Sequence, residues 1–329
     1  MAKPSATLAG PLLAPKDAPP IVAVMLKRVF LIACLGLQCL ATVAQAQSVE
    51  AEPAAAGTPI QSGTSYTLYS TVLGDDREIN VWLPPDYAKG EASYPVLYLL
   101  DGGLAQDFHH IAGLAQLGSL SWTFGPLIVV GVQTESRRAE LTARPTDTRY
   151  LAAFPESGGA EQFRRFLETE VMPFVEERFG VGGRRALMGE SLAGLFVIDT
   201  LLSQPSLFDD YVAISPSLWW DDRRPLQRAD ARLAQGEAMG RRLYLAMADE
   251  GGTMQDGVDL LRRALADVPQ AKIAWRYTDH SPIATHATVY HGAAEEALRW
   301  LYPAPPYDTG PTPWYMIEGA APPAADPTQ

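Results

Sequence analysis

Residues 184–202 read RRALMGESLAGLFVIDTLL, with Ser191 at their centre. The short apolar run Ala186, Leu187 and Met188 leads into Gly189, and a helical apolar pattern of Leu195, Ile198, Leu201 and Leu202 begins within one turn after the serine. That pattern predicts strand, abrupt turn, helix. A serine on such a turn projects from the end of a buried sheet, while the helix N-terminus behind it offers unpaired N–H groups and positive dipole character to a developing anion. Such a site suits attack on a carbonyl. The G-x-S-x-G form of the turn is not fully met, because Ala193 stands where the second glycine is expected and Gly194 follows it. A Gly-x-Ser that merely caps a helix is the bland alternative.

Working outward, the segments on either side alternate between strand and helix. Residues 66–73 and 79–83 are β-prone and flank Gly74-Asp75-Asp76, which predicts an antiparallel hairpin. The run Tyr94-Pro95-Val96-Leu97-Tyr98-Leu99-Leu100 stops at Asp101-Gly102-Gly103, as expected of a central buried strand entering a loop. Further strands are expected at 127–132, 211–214, 242–248 and 272–277. Helices are expected near 107–117, 161–179, 224–239, 258–268 and 292–302, with Pro173 kinking or dividing the second. Residues 133–160 read as one long loop. Strands alternating with helices after a hairpin give an α/β protein with a mostly parallel central sheet, an N-terminal antiparallel hairpin and helices on both faces. Asp101-Gly102-Gly103, Ser191, Asp249-Glu250 and the loop from His280 to His286 then sit at strand ends that should converge.

Composition narrows the function. Residues 25–46, MLKRVFLIACLGLQCLATVAQA, have a basic start, an apolar run and small residues at Ala44 and Ala46, the pattern of a secretory signal. The run is too short for a persuasive membrane span, so no stable membrane insertion is expected after its removal. Because the pattern starts at Met25, residues 1–24 read as an upstream extension. Expected divisions are therefore 1–46 extension and signal, 47–64 flexible lead-in, 65–302 catalytic domain and 303–329 Pro- and Ala-rich tail. Both cysteines, Cys34 and Cys39, leave with the signal, taking disulfide, thiol nucleophile and cysteine metal ligand with them. The net charge of −12 argues against a nucleic-acid partner, and removing the basic leader makes the remainder more acidic still.

A neutral serine needs a base within hydrogen-bond reach and a third group to orient it. The order serine, acid, histidine is that of the α/β-hydrolase triad, which disfavours His109 and His110 as the base. His280, His286 and His291 remain; His291 opens the final helix and reads as a surface or capping residue, and of the other two His286 has more loop with which to reach the serine. Glu250 and Asp249 are the candidate acids. The tetrahedral intermediate needs two donors, for which the backbone N–H of Leu192 and an N–H in the Gly102-Gly103 turn are placed.

The strings YPVLYLLDGG, RRALMGESLAGLF, LFDDYVAISPSLWW and THATVYHGAAEEALRWL, in this order, resemble the putative-esterase branch of the α/β-hydrolases, over about residues 65–302. The sub-branch most similar is that of the bacterial siderophore esterases, which open enterobactin-type trilactones. Feruloyl esterases, S-formylglutathione hydrolases and mycolyltransferases belong to the same branch. The resemblance implies an α/β-hydrolase fold, Ser191 as nucleophile, His286 as base, and Gly103 with Leu192 as the oxyanion hole. It implies Glu250 as the acid, with Asp249 as fallback because the family's glycine-acid pattern is replaced here by Ala248-Asp249-Glu250. Members that work with a Ser-His dyad make the acid less decisive. Arg138 and Trp219 match the substrate-binding positions, where an Arg would face catecholate or carboxylate oxygens and a Trp would stack on an aryl ring. The implied activity is a periplasmic or secreted serine esterase acting on a small-molecule ester, with no metal or organic cofactor. A feruloyl or short-chain esterase, an acyltransferase, and a siderophore- or glycan-binding protein of the same fold are the alternatives.

Overall fold

The computed structural model of the protein describes residue 58 and residues 60–90, 93–227, 229–269, 272–306 and 310–322. The expected extension and signal lie outside these residues, as do most of the lead-in and the last residues of the tail.

The elements run β1 (Thr64–Tyr69), β2 (Asp76–Trp82), β3 (Val96–Leu100), α1 (Phe108–Leu120), β4 (Ile128–Val132), α2 (Arg137–Leu141), α3 (Thr148–Ala153), α4 (Ala160–Phe166) and α5 (Met172–Phe179). They continue with β5 (Arg185–Glu190), α6 (Leu192–Ser203), β6 (Asp210–Ile214), α7 (Trp220–Arg223), α8 (Ala229–Ala234), β7 (Arg242–Met247), α9 (Gly252–Asp267), β8 (Ala274–Asp279) and α10 (Val289–Leu301). One eight-stranded sheet has the order β1-β2-β4-β3-β5-β6-β7-β8. The pairs β1/β2 and β2/β4 are antiparallel, and all others are parallel.

β3 shows why both faces are covered. Its five residues are all buried, with Val96, Tyr98 and Leu100 in one core and Leu97 and Leu99 in the other, as the two-residue period of a strand requires. The first core takes its helical side chains from α2 and α4 to α9; the second takes them from α1 and α10. Such double coverage is the α/β-hydrolase arrangement expected from the sequence.

Three expectations are corrected. The supposed loop at 133–160 holds α2 and α3, each too short for apolar periodicity to show, and α3 is set by the Asp147 carboxylate accepting from Arg149 N at 2.8 Å. The charged helix expected over 224–239 shrinks to α8, bounded by a 3₁₀ turn containing Pro225 and by Gly236 at φ +78°. The last strand lies two residues later than expected, at Ala274–Asp279. Around Pro173 the chain divides as expected, with a π turn (Leu167–Val171) between α4 and α5.

Backbone hydrogen bonds stitch the C-terminal strand ends side by side. Gly102 N donates to Val132 O, Ser191 N to Ile214 O, Ser215 N to Ala246 O and His280 N to Met247 O, all within 2.8–3.0 Å. This edge carries the candidate site.

Candidate active site

Ser191 occupies the turn between β5 and α6 with φ +59° and ψ −116°, a conformation that costs energy for a residue with a side chain. The turn closes because residue 189 has no Cβ: one added there would stand 2.5 Å from the Cβ of Ala193. Ala193 therefore serves where a second glycine was expected, its methyl filling the space that Gly189 leaves. Gly194 lets α6 approach the next turn, since a Cβ there would lie 3.0 Å from Pro216 Cα. Leu192 is the first residue of α6, so its N–H has no intrahelical acceptor and points out of the helix beside Ser191.

His286 Nδ1 lies 2.8 Å from Glu250 Oε1. The Glu250 side chain is only 8% exposed, whereas His286 keeps 41% exposure. Asp249 is exposed and contributes its backbone instead, Asp249 N donating to Ala284 O at 3.1 Å, which ties the acid loop to the histidine loop. His280 is buried and turned elsewhere, with Nε2 3.2 Å from Glu296 Oε2. Geometry thus brings Glu250 and His286 together and leaves Asp249 and His280 out. The Ser191 hydroxyl sits 3.3 Å from Ser217 Oγ, its hydrogen-bond partner among the described side chains, rather than on His286.

The glycine turn after β3 is held rigidly. A Cβ on Gly102 would stand 2.3 Å from Gly131 Cα, so only glycine fits, and Asn80 Nδ2 donates to Gly102 O at 2.9 Å. Gly103 N, the expected oxyanion donor, gives its hydrogen to the Gln106 carboxamide oxygen at 2.9 Å. Gln106 also donates to Thr134 O at 3.0 Å. The sequence contains no sign of this contact, which must open if Gly103 is to hold an oxyanion.

Arg138 and Trp219 belong to one aromatic patch. The Arg138 guanidinium lies 4.6 Å over the Phe154 ring and pairs with Glu156 at 3.1 Å. Trp219 packs 6.3 Å from Phe154 and 6.2 Å from Tyr150, whose hydroxyl donates to Trp219 O at 3.1 Å. Tyr150 and Phe154 were missed in the sequence because their segment reads as loop.

A carboxyl cluster underlies the turn. Arg137 Nε donates to Asp101 Oδ2 at 2.8 Å, and Arg137 Nη2 to Glu190 O at 3.3 Å. Thr134 Oγ1 donates to the other oxygen of Asp101. Burial pushes the Glu190 carboxyl up to about 7, against the opposing pull of His286 and with help from Asp107. Burial and the nearby Asp101 push Asp107 up to about 6. Among the described residues, no group of three or more His, Cys, Asp or Glu side chains is placed to hold a metal ion.

Comparison with known proteins places the chain in a family of esterases. The chain is 30% identical over 188 residues to ferri-bacillibactin esterase BesA of Bacillus subtilis, covering 51% of this chain and 63% of that protein. It is 37% identical over 167 residues to the apo-salmochelin esterase of Escherichia coli, covering 47% and 51%. The chain thus spans less than two thirds of the length of either relative. The crystal structure of an IroE-like serine hydrolase from Shewanella oneidensis superposes with a TM-score of 0.64 at 29% identity, covering 73% of this chain and 80% of that one. Residues 70–298 match the family described as putative esterase, to which this chain belongs.

Proposed function

We propose that this protein is a serine esterase that hydrolyses a siderophore-type lactone or a related carboxylic ester through an acyl-enzyme. The observation that carries this reading is the buried Glu250 carboxylate on His286 Nδ1, at the same strand-end edge as the strained Ser191. A carboxylate at Nδ1 fixes the proton there and leaves Nε2 as the acceptor. His286 takes the Ser191 proton as Oγ attacks the ester carbonyl, and Leu192 N–H, with Gly103 N–H once Gln106 has moved, holds the oxyanion. His286 then gives the proton to the departing alcohol, and in the second half activates water against the acyl-enzyme. The relatives named for bacillibactin and salmochelin esters support the substrate class. So does the patch of Arg138, Tyr150, Phe154 and Trp219, which offers a cation and aromatic faces to an aryl ester.

Replacing Ser191 with Ala should abolish both turnover of an aryl ester and labelling by a fluorophosphonate; turnover that survives refutes the nucleophile. A panel of a catecholate trilactone, a feruloyl ester and short acyl esters separates the substrate classes, with the trilactone expected to show the highest kcat/KM. Export to the periplasm or beyond is supported by the signal pattern at 25–46, and among the described residues no helix is long and apolar enough to cross a membrane. N-terminal sequencing of the exported protein should begin at or beside Gln47.

A further inference from the structure

The Ser215-Pro216-Ser217 turn after β6 touches both halves of the candidate site. Ser217 N donates to Ser191 O at 2.9 Å, and the two hydroxyl oxygens stand 3.3 Å apart. On its other side the turn reaches the acid loop, with Ser215 N donating to Ala246 O at 2.9 Å and Ser215 Oγ accepting from Ala248 N at 3.3 Å. Ser215 is held at φ +40°, a strained conformation made harder by the proline that follows it. Ser217 is 3% exposed. A buried hydroxyl with one side-chain partner costs desolvation that an alanine of nearly the same size would avoid. Here that partner is the nucleophile's own oxygen.

We propose that Ser217 is a further catalytic residue, whose hydroxyl holds Ser191 Oγ in the resting enzyme and donates to it when it leaves the acyl group. This rests on the serine-esterase reading of Ser191. In the resting enzyme the two hydroxyls share one hydrogen bond, and the nucleophile must turn from it to His286 before attack. During deacylation water has added to the acyl carbon, the bond from that carbon to Oγ breaks, and its electron pair goes to Oγ. The proton for Oγ comes from the His286 imidazolium. Ser217 transfers nothing; its O–H hydrogen-bonds the negative charge growing on Oγ, where the fixed backbone has already placed it. Because the same contact restrains the nucleophile before attack, its removal should slow deacylation while leaving acylation nearly unchanged.

The test is pre-steady-state hydrolysis of p-nitrophenyl acetate by the full protein carrying Ser217→Ala. The expected result is an acylation burst within about threefold of the parent, followed by a steady state slowed about tenfold, the loss of one neutral donor. kcat and KM should fall together with kcat/KM held, and the acetylated protein should accumulate in the mass spectrum. Ser217→Cys, close in size but a weak donor, should behave likewise and covers the case in which alanine unfolds the turn, while Ser217→Thr should restore deacylation. A fall in kcat/KM without accumulation of acyl-enzyme, or no change in either phase, would overturn the proposal. Ser191→Ala run in parallel separates the two readings: a burst that persists there sinks the nucleophile itself, whereas a parental burst and steady state in Ser217→Ala sinks only the role of Ser217.

Discussion

Glu250 commits one carboxylate oxygen to His286 and buries the other, Oε2, without a hydrogen-bond partner among the described residues. The bonded oxygen orients the imidazole through Nδ1 and leaves Nε2 free to exchange the proton in each half-reaction. Glu250→Gln should therefore lower kcat by about 10²–10⁴ with little change in KM, while Asp249→Asn should stay within about threefold of the parent, as steady-state kinetics on an aryl ester would show. Glu190 makes the second prediction at this scale. Its carboxyl is pushed up to about 7, so between its ordinary value of 4.5 and about 7 the folded protein binds more protons than the unfolded chain. Stability from this group is greatest below pH 4.5 and is lost as pH rises through 7. The slope should be on the order of 2 kcal/mol in all, discounted for its residual exposure, and Glu190→Gln should flatten it in urea melts taken from pH 5 to pH 8. The placement of Ser191, Glu250 and His286 at one edge was legible because a strand end, a helix start and a chain order constrain it. Loop position alone left His280 and His286 open, the resemblance favoured His286, and the structure sets the two on different carboxylates, Glu296 and Glu250, which lie 16 and 36 residues away along the chain. Ser217 and Gln106 were invisible, since each acts through a contact that no local pattern encodes.

Between residue and sheet, the segment after β6 shows where sequence reading failed and why. α7 is barely a helix: Asp221, Asp222 and Arg223 take φ of +48°, +52° and +62°, a left-handed run that non-glycine residues hold only when their surroundings enforce it. The enforcing group is Asp221, 6% exposed, whose carboxylate accepts from Thr146 N, Thr146 Oγ1 and Asp147 N, each at 3.0 Å. Trp220 Nε1 adds a bond to Ala143 O, also 3.0 Å long. These bonds hold the 143–147 segment against Trp220 and Asp221, next to Trp219 in the chain, and so join segments about 75 residues apart beside the aromatic patch. Long apolar strands and α6 were readable because burial on a fixed period leaves a trace in the sequence. A turn made by one carboxylate leaves none. Asp221→Ala should cost about 2–4 kcal/mol by leaving three donors without their acceptor. It should raise KM for a bulky aryl ester more than for an acetyl ester, because Trp219 loses its support while Ser191 does not.

At the scale of the whole molecule, the sheet separates chemistry from support. Every candidate catalytic side chain stands at the C-terminal strand ends, while the opposite end is closed by one buried carboxylate, Asp210 at the start of β6. It is fully buried and accepts from Arg184 Nη2 at 2.6 Å, Arg242 Nε at 2.6 Å, Arg242 Nη2 at 2.7 Å and Tyr302 Oη at 3.0 Å. These partners come from the start of β5, the start of β7 and the residue after α10, so one side chain binds three central strands to the last helix. Burial alone would raise its carboxyl, but the hydrogen bonds and charges of Arg242 and Arg184 outweigh it and hold the group below its ordinary range. Taking that charge away leaves two guanidinium groups packed together without their common partner, the costly way to break a buried ion pair. Asp210→Asn should lose about 3–5 kcal/mol in urea unfolding and melt roughly 10 °C lower. Because the strand between Asp210 and the Ser215 turn is buried along its whole length, the loss should not travel to the reacting end. The folded fraction of Asp210→Asn, titrated by fluorophosphonate, should keep kcat/KM within about twofold of the parent. A variant that keeps its melting temperature but loses turnover per labelled serine would show that the two ends of the sheet are coupled.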